Sequence, residues 1–287
     1  LLLCCRSWRC RQRRRRAGAP SLPMIVATPQ FHARVWGSRD LRAWYPDRAP
    51  EPEPIGESWL TPTGCPVLVK MLFPTERLSV QVHPDDTYAA AHGLGVGKSE
   101  AWYVTEARAG AQVAVGLGDG VSWEAFADAC RQGRASELLR WVAVAPGDTV
   151  NVPAGTIHAI GSGLVLCEVQ QPSDNTFRLD DYGRGRTLHL EHGLAAACAN
   201  RAGSAAGVVR PGLASGLSGK LVTTPYFKVW RHCLAAGATL PPATVPRWIV
   251  NLGSPGPIPR GHLASLAPGE TLAVAAATTW LEIQEVR

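Results

Sequence analysis

The chain has 287 residues, 46% hydrophobic and 18% charged, which excludes a disordered or fibrous protein and allows one large core or two smaller ones. Its formal charge of +6 is concentrated at one end, because residues 1–23 hold seven arginines (Arg6, Arg9, Arg11, Arg13, Arg14, Arg15, Arg16) and no acid; without those seven, +6 becomes −1. A nearly neutral body with no basic stripe gives no footprint for nucleic acid, though a local pocket for one phosphate group remains compatible with it.

In chain order, LLLCCRSWRCRQRRRR puts apolar residues before the charges, the reverse of a secretory signal, and its apolar run is too short to span a bilayer. Residues 1–23 are expected to stand outside the fold, as an upstream translated stretch before Met24 or as an Arg-rich targeting peptide. From Met24 the runs PVLVKMLFP, RLSVQVHP, EAWYVTEA, AQVAVGLG, DTVNVPAG and GLVLCEVQQP are separated by Gly, Pro and Asp. Many short strands at this spacing predict a mainly β barrel or sandwich rather than βαβ units. A helical insertion is expected at about 119–143. Ser122 can cap a segment in which Trp123, Phe126, Ala127 and Cys130 recur at helical spacing, and Ser136 can cap a second, SELLRWV. Residues 24–198 thus form the expected first domain. The Gly-, Ala- and Ser-rich stretch 199–219 reads as a linker, and KLVTTPYFKVWRHCLA, RWIVNLG and TLAVAAATTWLEIQEV predict a smaller β domain over 220–287. The eight cysteines form no CxxC pair. Those outside the leader read as small buried apolar residues of a reduced, cytoplasmic protein.

The chemistry-bearing residues cluster in three strings. In SVQVHPDD a strand would put Ser79, Gln81 and His83 on one face, opposite Val80 and Val82. In GKSEAWYV, Lys98 and Glu100 share the same spacing, and PGDTVNVPAGTIHAI brings His158 just past a turn. Two imidazoles, a carboxylate and an amide oxygen (His83, His158, Glu100, Gln81) make a plausible zinc set with an open position. Taken singly, each residue has a bland alternative: a histidine can be a satisfied core group, a glutamate can be solvated, and glutamine is an uncommon zinc ligand. Trp59, Trp102 and Tyr103 read as core or barrel wall.

The strings VQVHPDD, GKSEAWYV, VPAGTIHAIG and SDNTFRLDDYGR, with the earlier IGESW, stand in the order of the motifs of type I phosphomannose isomerases. From about Trp36 to Gly185 the chain resembles that family, particularly its short bacterial form. The resemblance implies a cupin (jelly-roll β-barrel) fold with a second, cupin-like domain. It implies one zinc ion per chain on Gln81, His83, Glu100 and His158, and a sugar-phosphate substrate, mannose 6-phosphate and fructose 6-phosphate being interconverted through an enediol. It places Lys98 and Arg178 in the substrate pocket, with Asp174 and Glu168 as further candidates, and matches Ser79 to a residue associated with substrate phosphate. Where longer members carry a lysine after the Arg-containing turn, this chain has Arg184, which stays protonated and suits a phosphate rather than a base.

Isomerisation moves a proton between adjacent carbons. Glu168, Asp174 and Lys98 are the candidates for that transfer, and Arg178 for holding enediolate charge. Their structural alternatives are an ion pair with Arg178 for either acid and a solvated Lys98. A non-catalytic cupin module that binds sugar phosphates is the competing class, disfavoured because all four ligand positions are filled. An iron cupin oxygenase is disfavoured by Gln81, and a nucleotidyl-transferring relative by the lack of a Gly-rich loop before the cupin region. No membrane partner is expected, and the sequence gives no oligomeric state.

Overall fold

The computed structural model describes residues 24–62, 65–198, 206–209 and 217–286. The expected leader at 1–23 lies outside them, as does most of the expected linker. Alternation of apolar side chains along short strands builds the molecule as stacked antiparallel layers. A seven-stranded sheet runs, in spatial order, through Gly207–Val209, Thr149–Val152, Glu100–Ala107, Leu164–Gln170, Leu68–Leu72, Ile55–Trp59 and Gln30–Ser38. Facing it is a five-stranded sheet of Phe177–Asp180, Val80–Val82, His158–Ile160, Gln112–Leu117 and Leu139–Ala143. The two enclose Trp36, Leu72, Trp102, Val104, Val113, Val115, Val150 and Leu166. This is the expected cupin barrel.

Period-two alternation decides what each face meets. Along Glu100–Ala107, Trp102 and Val104 point into the barrel, whereas Ala101 and Tyr103 join Val69, Met71, Cys167 and Val169 on the outer face. That outer face packs on Leu221, Phe227, Val229, Val250, Leu281 and Ile283 of a second β unit, so one apolar cluster spans both. The second unit has a six-stranded sheet of Ile25–Val26, Leu263–Leu266, Arg247–Asn251, Thr278–Glu285, Phe227–Leu234 and Gly219–Thr223, with the pair Thr239–Leu240 and Leu272–Ala273. Its own core holds Leu240, Ile249, Ile258, Leu266 and Trp280.

The structure differs from the sequence reading in several elements. Ile25–Val26 pairs with Ala264 and Ser265, so the beginning of the first expected domain is a strand of the second sheet. Ser122 does cap a helix, Trp123–Arg131, accepting from the Ala125 amide. Ser136 caps nothing: Ala135–Leu138 is a 3-10 turn preceded by Arg134, and Leu139–Ala143 becomes an edge strand beside Gln112–Leu117. The free edge of that neighbour offers backbone partners that a one-turn helix could not match, and Trp141 and Val142 suit a pleated surface. Two helices were not expected. Asp86–Ala91 starts at Asp85, whose side chain accepts from the Tyr88 amide. Leu190–Cys198 packs through Gly193 so closely on Leu179 that an added Cβ would lie 2.6 Å from its methyl. Within the stretch read as a linker, Gly207–Val209 pairs with Thr149–Asn151. No helix of the described residues is long and apolar enough to cross a membrane.

Candidate active site

Strand register assembles the site from both sheets of the barrel. In the five-stranded sheet Gln81 stands between Arg178 and His158, one directly opposite on each neighbouring strand. In the seven-stranded sheet Glu168 stands between Lys70 and Trp102, and Gln170 faces Glu100. Ser79, Gln81 and His83 share the inward face as expected, with Ser79 Oγ 3.5 Å from Gln81 Oε1, while Val80 and Val82 pack on the helical side.

Three groups converge at the foot of the barrel. His83 Nε2 lies 3.3 Å from Glu100 Oε2, and His158 Nε2 lies 3.5 Å from Glu100 Oε1. The three residues are at most 1% exposed. Each imidazole is oriented by its other nitrogen, His83 Nδ1 donating to the Asn175 carbonyl and His158 Nδ1 to that of Thr156, both at 2.8 Å. With Nδ1 protonated, both Nε2 lone pairs face the carboxylate, as in metal-ligating histidines anchored through their outer nitrogen. Burial, outweighing Glu100, pushes His158 down to about 3, and burial with the Lys98 charge lowers His83, so both rings are neutral. Burial alone would raise the Glu100 carboxyl, but the Lys98 charge holds it well below the usual range. His158 Nε2 is buried with no hydrogen-bond partner among the described residues, and the ligand atoms of the three residues lie within 4.8 Å of one another. Two neutral imidazoles and a carboxylate so disposed fit a divalent metal ion.

Above this group opens a polar cavity of about 380 Å³, whose lining includes Ser79, Gln81, Lys98, Glu168, Asp174 and Arg178. Lys98 Nζ bridges cavity and floor, 3.0 Å from Glu100 Oε2 and 3.1 Å from His83 Nε2. Burial disfavours its charge, but Glu100, Glu168 and Asp174 together outweigh that and raise its pKa. The Trp102 indole N–H donates to both Glu100 Oε1 and Glu168 Oε2, at 3.0 and 3.1 Å. Burial and the nearby Glu100 charge push Glu168 up to about 7. Lys70 Nζ is 2.7 Å from Asp174 Oδ1 and 3.6 Å from Glu168 Oε1, so neither acid pairs with Arg178 as the structural alternative supposed. Arg178 instead donates from Nη1 to the Thr187 carbonyl at 2.7 Å, while its buried Nε has no partner among the described residues.

One expected residue stands elsewhere. Arg184 donates to Asp181 Oδ1 at 2.8 Å and to the Arg77 carbonyl at 2.9 Å, and borders a neighbouring surface cavity with Tyr182 and Glu76. Arg186, two residues on and held by Asp181 through Nε at 2.8 Å, lines the polar cavity. Gly185, the single residue between the two arginines, is at positive φ and turns the chain there. Sequence reading also missed Lys70, Glu57 and Arg34 on the cavity wall. The signal for Lys70 was a lysine inside the apolar run PVLVKMLFP, since an unpaired lysine is almost never fully buried.

A crystal structure of mannose 6-phosphate isomerase from Bacillus subtilis superposes over 91% of this chain and 99% of its own, with a TM-score of 0.72 at 23% identity. Another mannose 6-phosphate isomerase, bound with zinc and yttrium, covers 92% of this chain and 100% of its own, with a TM-score of 0.66 at 14% identity. These likenesses carry the fold alone. No protein-family profile matches the sequence. A cupin barrel with a His–Glu–His group under a polar cavity, backed by a second β unit, defines the class as a two-unit cupin protein with a candidate metal site. The mannose-6-phosphate isomerase of Streptococcus mutans is 31% identical over 266 residues, 78% of this chain and 82% of its own, and one from Bacillus subtilis is 43% identical over 136 residues, 45% and 43% of the two chains. The chain belongs to the mannose-6-phosphate isomerase family.

Proposed function

We propose that the protein interconverts mannose 6-phosphate and fructose 6-phosphate through an enediol, with one zinc ion bound by His83, Glu100, His158 and Gln81. The observation that carries this is the convergence of a His–Glu–His group with Lys98 beneath a cavity lined by paired acids and arginines. Two imidazoles and a carboxylate suit zinc, and Gln81, opposite His158 in register, supplies the fourth ligand. When bound, zinc supplies Lewis-acid polarisation or a template for sugar oxygens.

The chain's own residues account for the rest. Glu168 and Asp174, joined through Lys70, are the proton-transfer candidates, and a carboxyl pushed up to about 7 exchanges protons near neutral pH. Lys98, ion-paired with Glu100, orients sugar oxygens rather than acting as a base. Arg178, on the cavity wall, supplies a fixed cation for the developing enediolate oxygen, acting on charge as it forms. Ser79 and Arg186 grip the phosphate at the cavity wall, the part first expected of Arg184. Analysis of bound metal together with a coupled assay for fructose 6-phosphate formation tests the proposal. Zinc-loaded protein that forms no product would overturn it.

A further inference from the structure

We propose that Asp86, outside the cavity, is a positioning residue for Lys98, and that the second β unit holds Asp86 through Tyr226. The proposal rests on the isomerase reading for its catalytic consequence, though not for its geometry. Three consecutive amides lead into Glu100, and each has its own anchor. Gly97 N–H donates to Asp86 Oδ1 at 2.8 Å, Lys98 N–H to the Pro84 carbonyl at 2.9 Å, and Ser99 N–H to Gln171 Oε1 at 2.8 Å. Asp86 Oδ1 also accepts from Gln171 Nε2 at 3.0 Å, so one carboxylate ties two of the three anchors together. The network reaches the loop before His158 as well, since Ser99 Oγ accepts from the Ala154 amide at 3.1 Å.

The other carboxylate oxygen faces the second β unit. Tyr226 Oη donates to Asp86 Oδ2 at 2.7 Å, from the turn before the strand Phe227–Leu234. Burial is the largest influence on the Asp86 carboxyl, yet the Tyr226, Gly97 and Gln171 donors outweigh it and keep the group ionised. Gly97 allows the close docking: a Cβ there would lie 2.6 Å from the Asp85 carbonyl carbon and 2.7 Å from the Asp86 nitrogen. Lys98 Nζ must sit within bonding reach of both Glu100 and His83, and small displacements of a positioned group are costly to turnover. The backbone that carries Lys98 is therefore set by a carboxylate whose second oxygen belongs to the other unit.

The test uses the full zinc-loaded chain with Tyr226→Phe, Asp86→Ala and Asp86→Asn. Asp86 is exposed and Tyr226 half-buried, so these changes remove hydrogen bonds without opening a core cavity. Amide exchange at Gly97 and Ser99 should accelerate about tenfold in Asp86→Ala and a few-fold in Tyr226→Phe, from the loss of charge-assisted bonds. Exchange in Gln112–Leu117 should not change. Turnover in Asp86→Ala should fall about tenfold with the Michaelis constant within about twofold, because the loss concerns orientation rather than uniform binding. Asp86→Asn keeps an oxygen for Gly97 N–H and should recover part of both effects. Unchanged exchange at Gly97 and Ser99 would overturn the proposal, as would acceleration spread equally through the barrel or an unaltered turnover number. An inactive parent chain would sink the isomerase reading, while exchange at the two amides would still decide whether Asp86 holds this segment.

Discussion

At the scale of single residues, orientation separates groups that composition treats alike. His83 and His158 each donate from Nδ1 to a carbonyl and turn Nε2 to Glu100, so removing either ring deletes a directed lone pair. His158→Ala is expected to lower bound zinc from about one per chain to under roughly a tenth, measured by metal analysis after dialysis. The three arginines after the SDN string differ by partner. Arg178→Ala should cost about a hundredfold in turnover, the usual scale for one preorganised charge-stabilising donor. Arg186→Ala should mainly raise the Michaelis constant, by roughly tenfold, since a phosphate grip acts in ground and transition states alike. Arg184→Ala should change both parameters less than either, because its guanidinium is spent on Asp181 and the Arg77 carbonyl. Steady-state kinetics of the three variants check the assignment, and a turnover loss confined to Arg184→Ala would refute it.

At the scale of elements, short strands and caps carry the local energetics. Ser122 accepts from the Ala125 amide at the start of Trp123–Arg131, whose Phe126 and Cys130 are buried against the five-stranded sheet. Ser122→Ala should lower stability by about 1 kcal/mol, read by thermal melting, with no change in turnover because the helix lies on the outer side of that sheet. In the second sheet, Glu282 on Thr278–Glu285 joins His232 at 3.1 Å and Arg247 at 3.2 Å. Burial alone would raise its pKa, but His232 and Gln284 hydrogen bonds with the Arg247 charge hold it below the usual value. An unfolded glutamate titrates near about 4.3, so this stabilisation is complete above that pH and is lost as pH falls through the lower folded pKa. Glu282→Gln should therefore flatten the acid side of the stability profile. Urea midpoints of parent and variant should differ above about pH 5 and draw together as pH falls below the unfolded value.

At the scale of the whole molecule, the two β units share one apolar cluster, and Ile25–Val26, ahead of the barrel strands in sequence, pairs in the second unit's sheet. Phe227 is fully buried at the centre of that contact. Phe227→Ala should cost about 3–5 kcal/mol, the range for emptying an aromatic site. Because the cluster spans both units, the parent chain should unfold in one transition, with tryptophan fluorescence and far-ultraviolet circular dichroism superimposing. Two separated transitions would show that the units fold independently.

Much of the site was legible because its information is local. Alternation in SVQVH and KSEAW orients Ser79, Gln81, His83, Lys98 and Glu100 with no knowledge of the rest of the chain, since successive strand side chains must oppose. The runs of apolar residues between turn signals likewise determined a mainly β fold with a second, smaller β unit. What the tertiary structure decided depends on pairing between distant segments. Lys70 enters the site only because Leu68–Leu72 lies beside Leu164–Gln170, and Arg186 replaces Arg184 at the cavity because Gly185, at positive φ, turns the chain between them. Leu139–Ala143 is a strand because an edge was free to receive it, and Ile25–Val26 joins the second sheet across most of the sequence. Side-chain alternation is a property of one strand, whereas register, edge availability and the path of a turn arise only when strands meet.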